Sequence, residues 1–191
     1  MKFRTFVLLA MLAPAAQPAE PAPERERIAP SHIGLDAVLT SNAAASKDHF
    51  KTDYGSSDIH TEKNRRVLVN VRNFGREPQR VALDIVWIGK FTGSNERVIL
   101  RRQSTPLALA PGAQERITGD SGEVKGSDLK LVMIGVRDTR GFKIEGWIAQ
   151  LREAGEGNAT GALIGLKASD THLADLAQTR GALALLPARK Q

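Results

Sequence analysis

Apolar and polar residues alternate through the middle of the chain. Val67, Val69 and Val71 share one phase, and Val81, Leu83, Ile85 and Trp87 share another. Side chains of an extended chain point to opposite faces with a period of two, so each run predicts a strand that buries one face. Asn73-Phe74-Gly75 and Pro111-Gly112 punctuate the runs as turns. The same reading predicts further strands over residues 33–39, 97–103, 113–118, 130–137, 142–152 and 162–168. Asp138-Thr139-Arg140-Gly141 is expected to be the loop of a hairpin. Residues 41–62 are polar and without period, and are expected to form a long connection with a short edge strand. Short strands separated by turn signals predict an all-β antiparallel β-sandwich rather than a βαβ fold.

The period changes after Ser169. Leu173, Leu176 and Ala177 fall on one face of a helix, with Ser169 or Asp170 placed to cap it and Gly181 placed to end it in a left-handed conformation. Leu183, Leu185 and Leu186 are expected to pack against the sandwich, and residues 188–191 to form a loose tail. The fold class is therefore all-β with a short C-terminal α-helix.

The ends of the chain set its address. Lys2 and Arg4 precede a nine-residue apolar run over residues 5–13, and Ala13-Pro14-Ala15 or Ala19 offers the small residues of a cleavage site. Residues 1–19 are expected to be a signal peptide, so the protein is expected to be secreted or periplasmic. No other segment reaches the ~20 apolar residues that span a bilayer. Residues 20–31, rich in Pro, Ala and charge, read as a flexible spacer, and residues 32–187 as the folded unit. The chain has no cysteine, which excludes disulfides, thiol nucleophiles, Cys-ligated zinc and an acylated lipoprotein cysteine. The formal charge is +6. Its excess lies in residues 61–102, where ten Lys and Arg face four acids. An exported protein with no aromatic–basic stacking pattern is not expected to bind nucleic acid.

The pattern V-x-V-R-N-F-G-x-x-P at residues 69–78, followed by a strand and then L-A-P-G at residues 109–112, resembles bacterial extracytoplasmic immunoglobulin-like domains of the adhesion or CARDB type. The stretch at residues 53–58, with 146–151, 166–169 and the Leu-rich helix, is also similar to a group of secreted bacterial proteins of uncharacterised function. The resemblance implies an immunoglobulin-like sandwich that binds or spaces other molecules. The chain departs from antibody-type domains in lacking the Cys pair that flanks the core tryptophan.

Candidate chemistry is sparse. Asp48, His49, Asp53, Asp58 and His60 could ligate zinc or calcium, although neither HExxH nor an EF-hand loop is present. No G-x-S-x-G elbow, Cys nucleophile or phosphate loop occurs, and no motif asks for a cofactor. Trp87 shares its phase with Val81, Leu83 and Ile85 and is expected in the core. Trp147 is out of phase with Ile144 and Ile148, which favours exposure. With Arg65, Arg72 and Arg101 it forms the candidate binding set. The leading expectation is a non-catalytic structural or protein-interaction module with an envelope or extracellular protein as partner. The alternative is a carbohydrate-binding module that uses the basic strands and Trp147, with anionic polysaccharide as ligand; a metal-dependent hydrolase on the 48–60 loop comes third.

Overall fold

A computed structural model describes residues 24–41, 46–51, 56–94, 96–131, 136–154 and 160–189. The expected signal segment, residues 1–19, lies outside them. Two antiparallel sheets make the body. The smaller holds β1 (Ile33–Ser41), β4 (Arg66–Asn73) and β7 (Gln114–Asp120), in the order β1-β4-β7. The larger holds β2 (Ser46–Lys51), β3 (Ser56–Lys63), β8 (Val124–Leu131), β9 (Val136–Ala154), β5 (Gln79–Phe91) and β6 (Arg97–Leu109). Its order is β2-β3-β8-β9-β5-β6, with β10 (Thr160–Ala168) paired to β9.

Alternation explains why these sheets face each other. Val67, Val69 and Val71 of β4 are fully buried against Val81, Leu83, Ile85 and Trp87 of β5 and Ala149 and Leu151 of β9. The opposite face of β5 and β9 is also covered. Val86, Ile88 and Ile148 pack there on Leu173 and Ala177 of α1 (Thr171–Gln178) and on Leu183 of the single turn α2 (Ala182–Leu185). A sheet buried on both faces needs no polar phase, and β5 reads V-A-L-D-I-V-W-I accordingly. The molecule is thus layered as sheet, sheet and helix, with the outer face of the smaller sheet left open.

Several expectations change. Residues 41–62 contain a regular hairpin, β2 on β3, rather than an irregular connection with one short strand. The strand expected over 130–137 is the end of β8 and the start of β9, with Lys130 opposite Arg137. Asp138-Thr139-Arg140-Gly141 is not a loop: these residues lie within β9 and pair with Leu129 to Gly126. Gly141 has φ of +87° and marks where β9 leaves β8 and takes β5 as its partner. A glycine that bends a strand carries the same local signal as one that ends it.

At the C-terminus, Asp170 caps α1 by accepting from the Leu173 N–H at 2.8 Å. Thr179 ends α1, and the left-handed Gly181 instead opens α2. Leu185 does not pack on the sandwich and is 85% exposed. Residues 188–189 are not loose: Arg189 N–H donates to the Ile99 carbonyl at 2.9 Å, and Ile99 N–H to Pro187 at 2.9 Å. The spacer is tied down over residues 24–29 as well, with Glu26 N–H donating to Gln178 and Ala29 N–H to Leu163.

Candidate binding surface

The expected binding set does not assemble. Trp147 is in the core at 7% exposure, directly opposite Trp87 in the β5–β9 register. Its apparent phase misleads because Glu145 is an extra residue: Ile88 pairs with Gly146 but Gly89 with Ile144. This bulge carries Ile144 and Trp147 to the same face. Trp147 is therefore no stacking platform. Its indole packs the core, as does that of Trp87, which was expected there and is 1% exposed.

The arginines separate into two places. Arg65 precedes β4, and its backbone N–H donates to the Ser121 hydroxyl at 2.9 Å. Beside it, Arg66 and Arg101 approach Asp120 at 3.1 and 3.7 Å. Burial opposes ionisation of Asp120, but the Gly122 N–H and the Arg66 guanidinium outweigh it and hold the carboxyl below its usual value. Arg72 lies six residues further along β4, about 20 Å away along an extended strand. Of the metal candidates, Asp53 lies outside the described residues. The β2–β3 register sets Asp48 opposite His60 and Phe50 opposite Asp58, with His49 opposite Ile59.

Two more ion pairs account for the other shifted carboxylates. Arg97 donates to Glu145 through two nitrogens at 2.8 and 2.7 Å and, with Lys90 at 3.3 Å, holds that carboxyl low against the opposing effect of burial. Arg152 does the same for Glu26 at 2.5 and 2.8 Å. These pairs fasten the Glu145 bulge to β6 and the N-terminal segment to β9.

What remains is the outer face of the smaller sheet. Its rows run Gly34–Arg72–Gln114, Asp36–Asn70–Arg116 and Val38–Leu68–Thr118 across β1, β4 and β7. Phe74 follows β4 in the turn and is 64% exposed. It lies over Gly34, where a Cβ would strike the ring edge, and the Arg72 guanidinium sits 5.0 Å from the ring centroid. Two clefts share Phe74 as a wall. One, about 470 Å³, is lined by His32, Gly75, Arg76, Glu77 and Gln79. The other, about 270 Å³, is lined by Leu35, Asp36, Asn70, Arg72 and Gln114. Asn70 Oδ1 in the second cleft has no hydrogen-bond partner. Sequence reading treats Phe74 only as part of a turn. The available signal is a large apolar residue set between arginines in a turn, where no core can reach it.

No protein-family model matches the chain, and no curated protein matches it. Some solved structures align with part of it. A β-glucuronidase from Bacteroides uniformis is 9% identical with a TM-score of 0.29, over 60% of this chain and 13% of that one. A protein from Akkermansia muciniphila is 10% identical with a TM-score of 0.30, over 72% and 71%. A structural-genomics target is 9% identical with a TM-score of 0.28, over 67% and 90%. The chain thus spans about an eighth of the glucuronidase. Likenesses this loose carry no argument about function.

Proposed function

We propose that the protein is an exported, non-catalytic binding module that presents the outer face of β1, β4 and β7 to a partner in the envelope or outside the cell. The observation that carries this is the asymmetry of the layers. The β5–β9 region is covered by a sheet on one side and helices on the other, whereas the smaller sheet leaves Phe74, Arg72 and Val38 exposed on one continuous face. An immunoglobulin-like relationship is part of the same reading. It is supported by Asn73, whose side chain joins the N-F-G turn to the L-A-P-G turn. Export is supported by the leading apolar run behind Lys2 and Arg4.

The cysteine-free sequence permits a direct test. A bulky maleimide on Val38→Cys covers the face, and the same label on Lys167→Cys, an exposed position of β10, leaves it clear. Wild type and the Lys167 adduct should retain an envelope component that the Val38 adduct does not. Equal retention by the two adducts, or none by wild type, would refute the reading.

A further inference from the structure

We infer that the Phe74 ridge is a subsite for an anionic polysaccharide, one that seats consecutive residues of a linear chain in the two clefts beside the ring. The inference rests on the outer face being the binding face. Its ligand class follows from chemistry. The aromatic ring of Phe74, 64% open to water, offers an apolar surface to the flat face of a sugar. Gly34 lets the ring edge settle against the sheet, because a Cβ there would strike Cε2.

Each cleft then adds one cation beside one carboxylate, Asp36 in the smaller and Glu77 in the larger, whose oxygens can accept from sugar hydroxyls. Arg72 lines the smaller and Arg76 the larger, and neither has an ion-pair partner among the described residues. Arg72 meets only the ring face, which leaves its N–H edge to donate to a carboxylate or sulfate. Groups that suit hydroxyls stand alongside: Asn70 and Gln114 with Arg72, and Gln79 with Arg76. One cation, at least one amide and a shared ring wall recur on both sides of Phe74. That repetition fits a polymer with an anion on every unit better than a lone small acid or a neutral glycan.

Affinity electrophoresis of the mature chain in gels containing polygalacturonate, dextran sulfate, dextran or polyglutamate tests this. Retardation by polygalacturonate or dextran sulfate is expected, weakening as salt rises, and the tighter of the two names the anion. Phe74→Ala should weaken it about tenfold and Arg72→Gln about fivefold. Gly34→Ala, whose Cβ meets only side-chain atoms of Phe74, should weaken it with the fold intact by circular dichroism. Lys167→Gln should bind as wild type. Equal retardation by dextran, polyglutamate as tight as the glycans, or loss in Lys167→Gln equal to that in Phe74→Ala would each overturn the inference. If both anionic glycans pass unretarded while the Val38 adduct still loses envelope capture, the glycan assignment falls and the binding face stands.

Discussion

The Nδ2 group of Asn73 donates to the Leu109 carbonyl at 3.2 Å, across 36 positions of sequence. It also donates to Glu77 at 2.8 Å and Ala110 at 3.3 Å, while Oδ1 accepts from Gly75 N–H at 2.8 Å. The backbone of the same residue exchanges bonds with the second turn, through Ala113 and Gly112. One fully buried amide therefore satisfies the polar groups of two turns, both of which join the smaller sheet to the larger. Asn73→Ala should lower stability by about 2–4 kcal/mol, since it strands the buried Leu109 carbonyl, the part-buried carbonyls of Glu77 and Ala110, and the Gly75 N–H. Asn73→Asp should do as badly, because a carboxylate would face carbonyl oxygens where the amide donates. Urea unfolding gives the values, and a midpoint within error of wild type would show that the link contributes nothing.

The glycines separate strain from space. Gly141 and Gly112 both have positive φ, +87° and +73°. A Cβ at Gly141 would collide with the Lys125 carbonyl and Gly126 Cα, whereas nothing lies within 4 Å of one at Gly112. Gly112→Ala should therefore cost only the left-handed conformation, about 1 kcal/mol. Gly141→Ala should cost several times more and loosen β8 from β9, visible as lost amide protection over residues 124–131. Equal costs at the two positions would contradict this.

Much of the sandwich was legible because Val67, Val69 and Val71, and Val81, Leu83, Ile85 and Trp87, keep one phase and bury one shared face. Legibility failed where geometry, not composition, sets the phase. Glu145 inserts a residue into β9, so Ile144 and Trp147 reach one face from opposite phases, and a strict period of two exposes Trp147 on paper. Gly141 fails similarly, since its local signal suits a loop and only its partners across the sheet reveal a bend. Phe74 was hidden for another reason. Turn chemistry explains Asn73 and Gly75 so well that the residue between them attracts no separate account, and the seat of its ring depends on Gly34, forty residues away.

Acid should weaken the fold through three carboxylates. Glu145, Glu26 and Asp120 all sit below their ordinary values: hydrogen bonds from Arg97 and Arg152 lower the first two, and in Asp120 the opposing burial is overcome by Gly122 and Arg66. A carboxyl depressed on folding contributes stability that is complete above its unfolded value, near 4.5 for Glu and 3.8 for Asp. That contribution is lost as pH falls through the folded value. The melting temperature should hold between pH 7 and pH 5 and drop below pH 4.5. Glu145→Gln should start lower at pH 7 and fall less steeply below pH 4.5. A parallel drop in wild type and variant would rule out Glu145 as a source of the acid dependence.

Trp87 and Trp147 face each other across β5 and β9 and should respond differently to the same substitutions. Both are large buried side chains, so either change to Ala should cost about 3–5 kcal/mol through lost burial and a residual cavity. Trp87 Nε1 is buried without a hydrogen-bond partner. Trp87→Phe removes an unsatisfied donor along with some apolar area, and these effects oppose each other. Its net cost should stay below about 1.5 kcal/mol. Trp147→Phe gains no such relief and should cost more than Trp87→Phe. Urea denaturation followed by far-ultraviolet circular dichroism avoids reliance on the tryptophan signal that these variants lose. Retardation by polygalacturonate, where it occurs, should survive every one of these variants that remains folded, because neither indole reaches the outer face of β1, β4 and β7. Loss of that binding in folded Trp147→Phe, with Phe74 and Arg72 intact, would return the ligand site to β9.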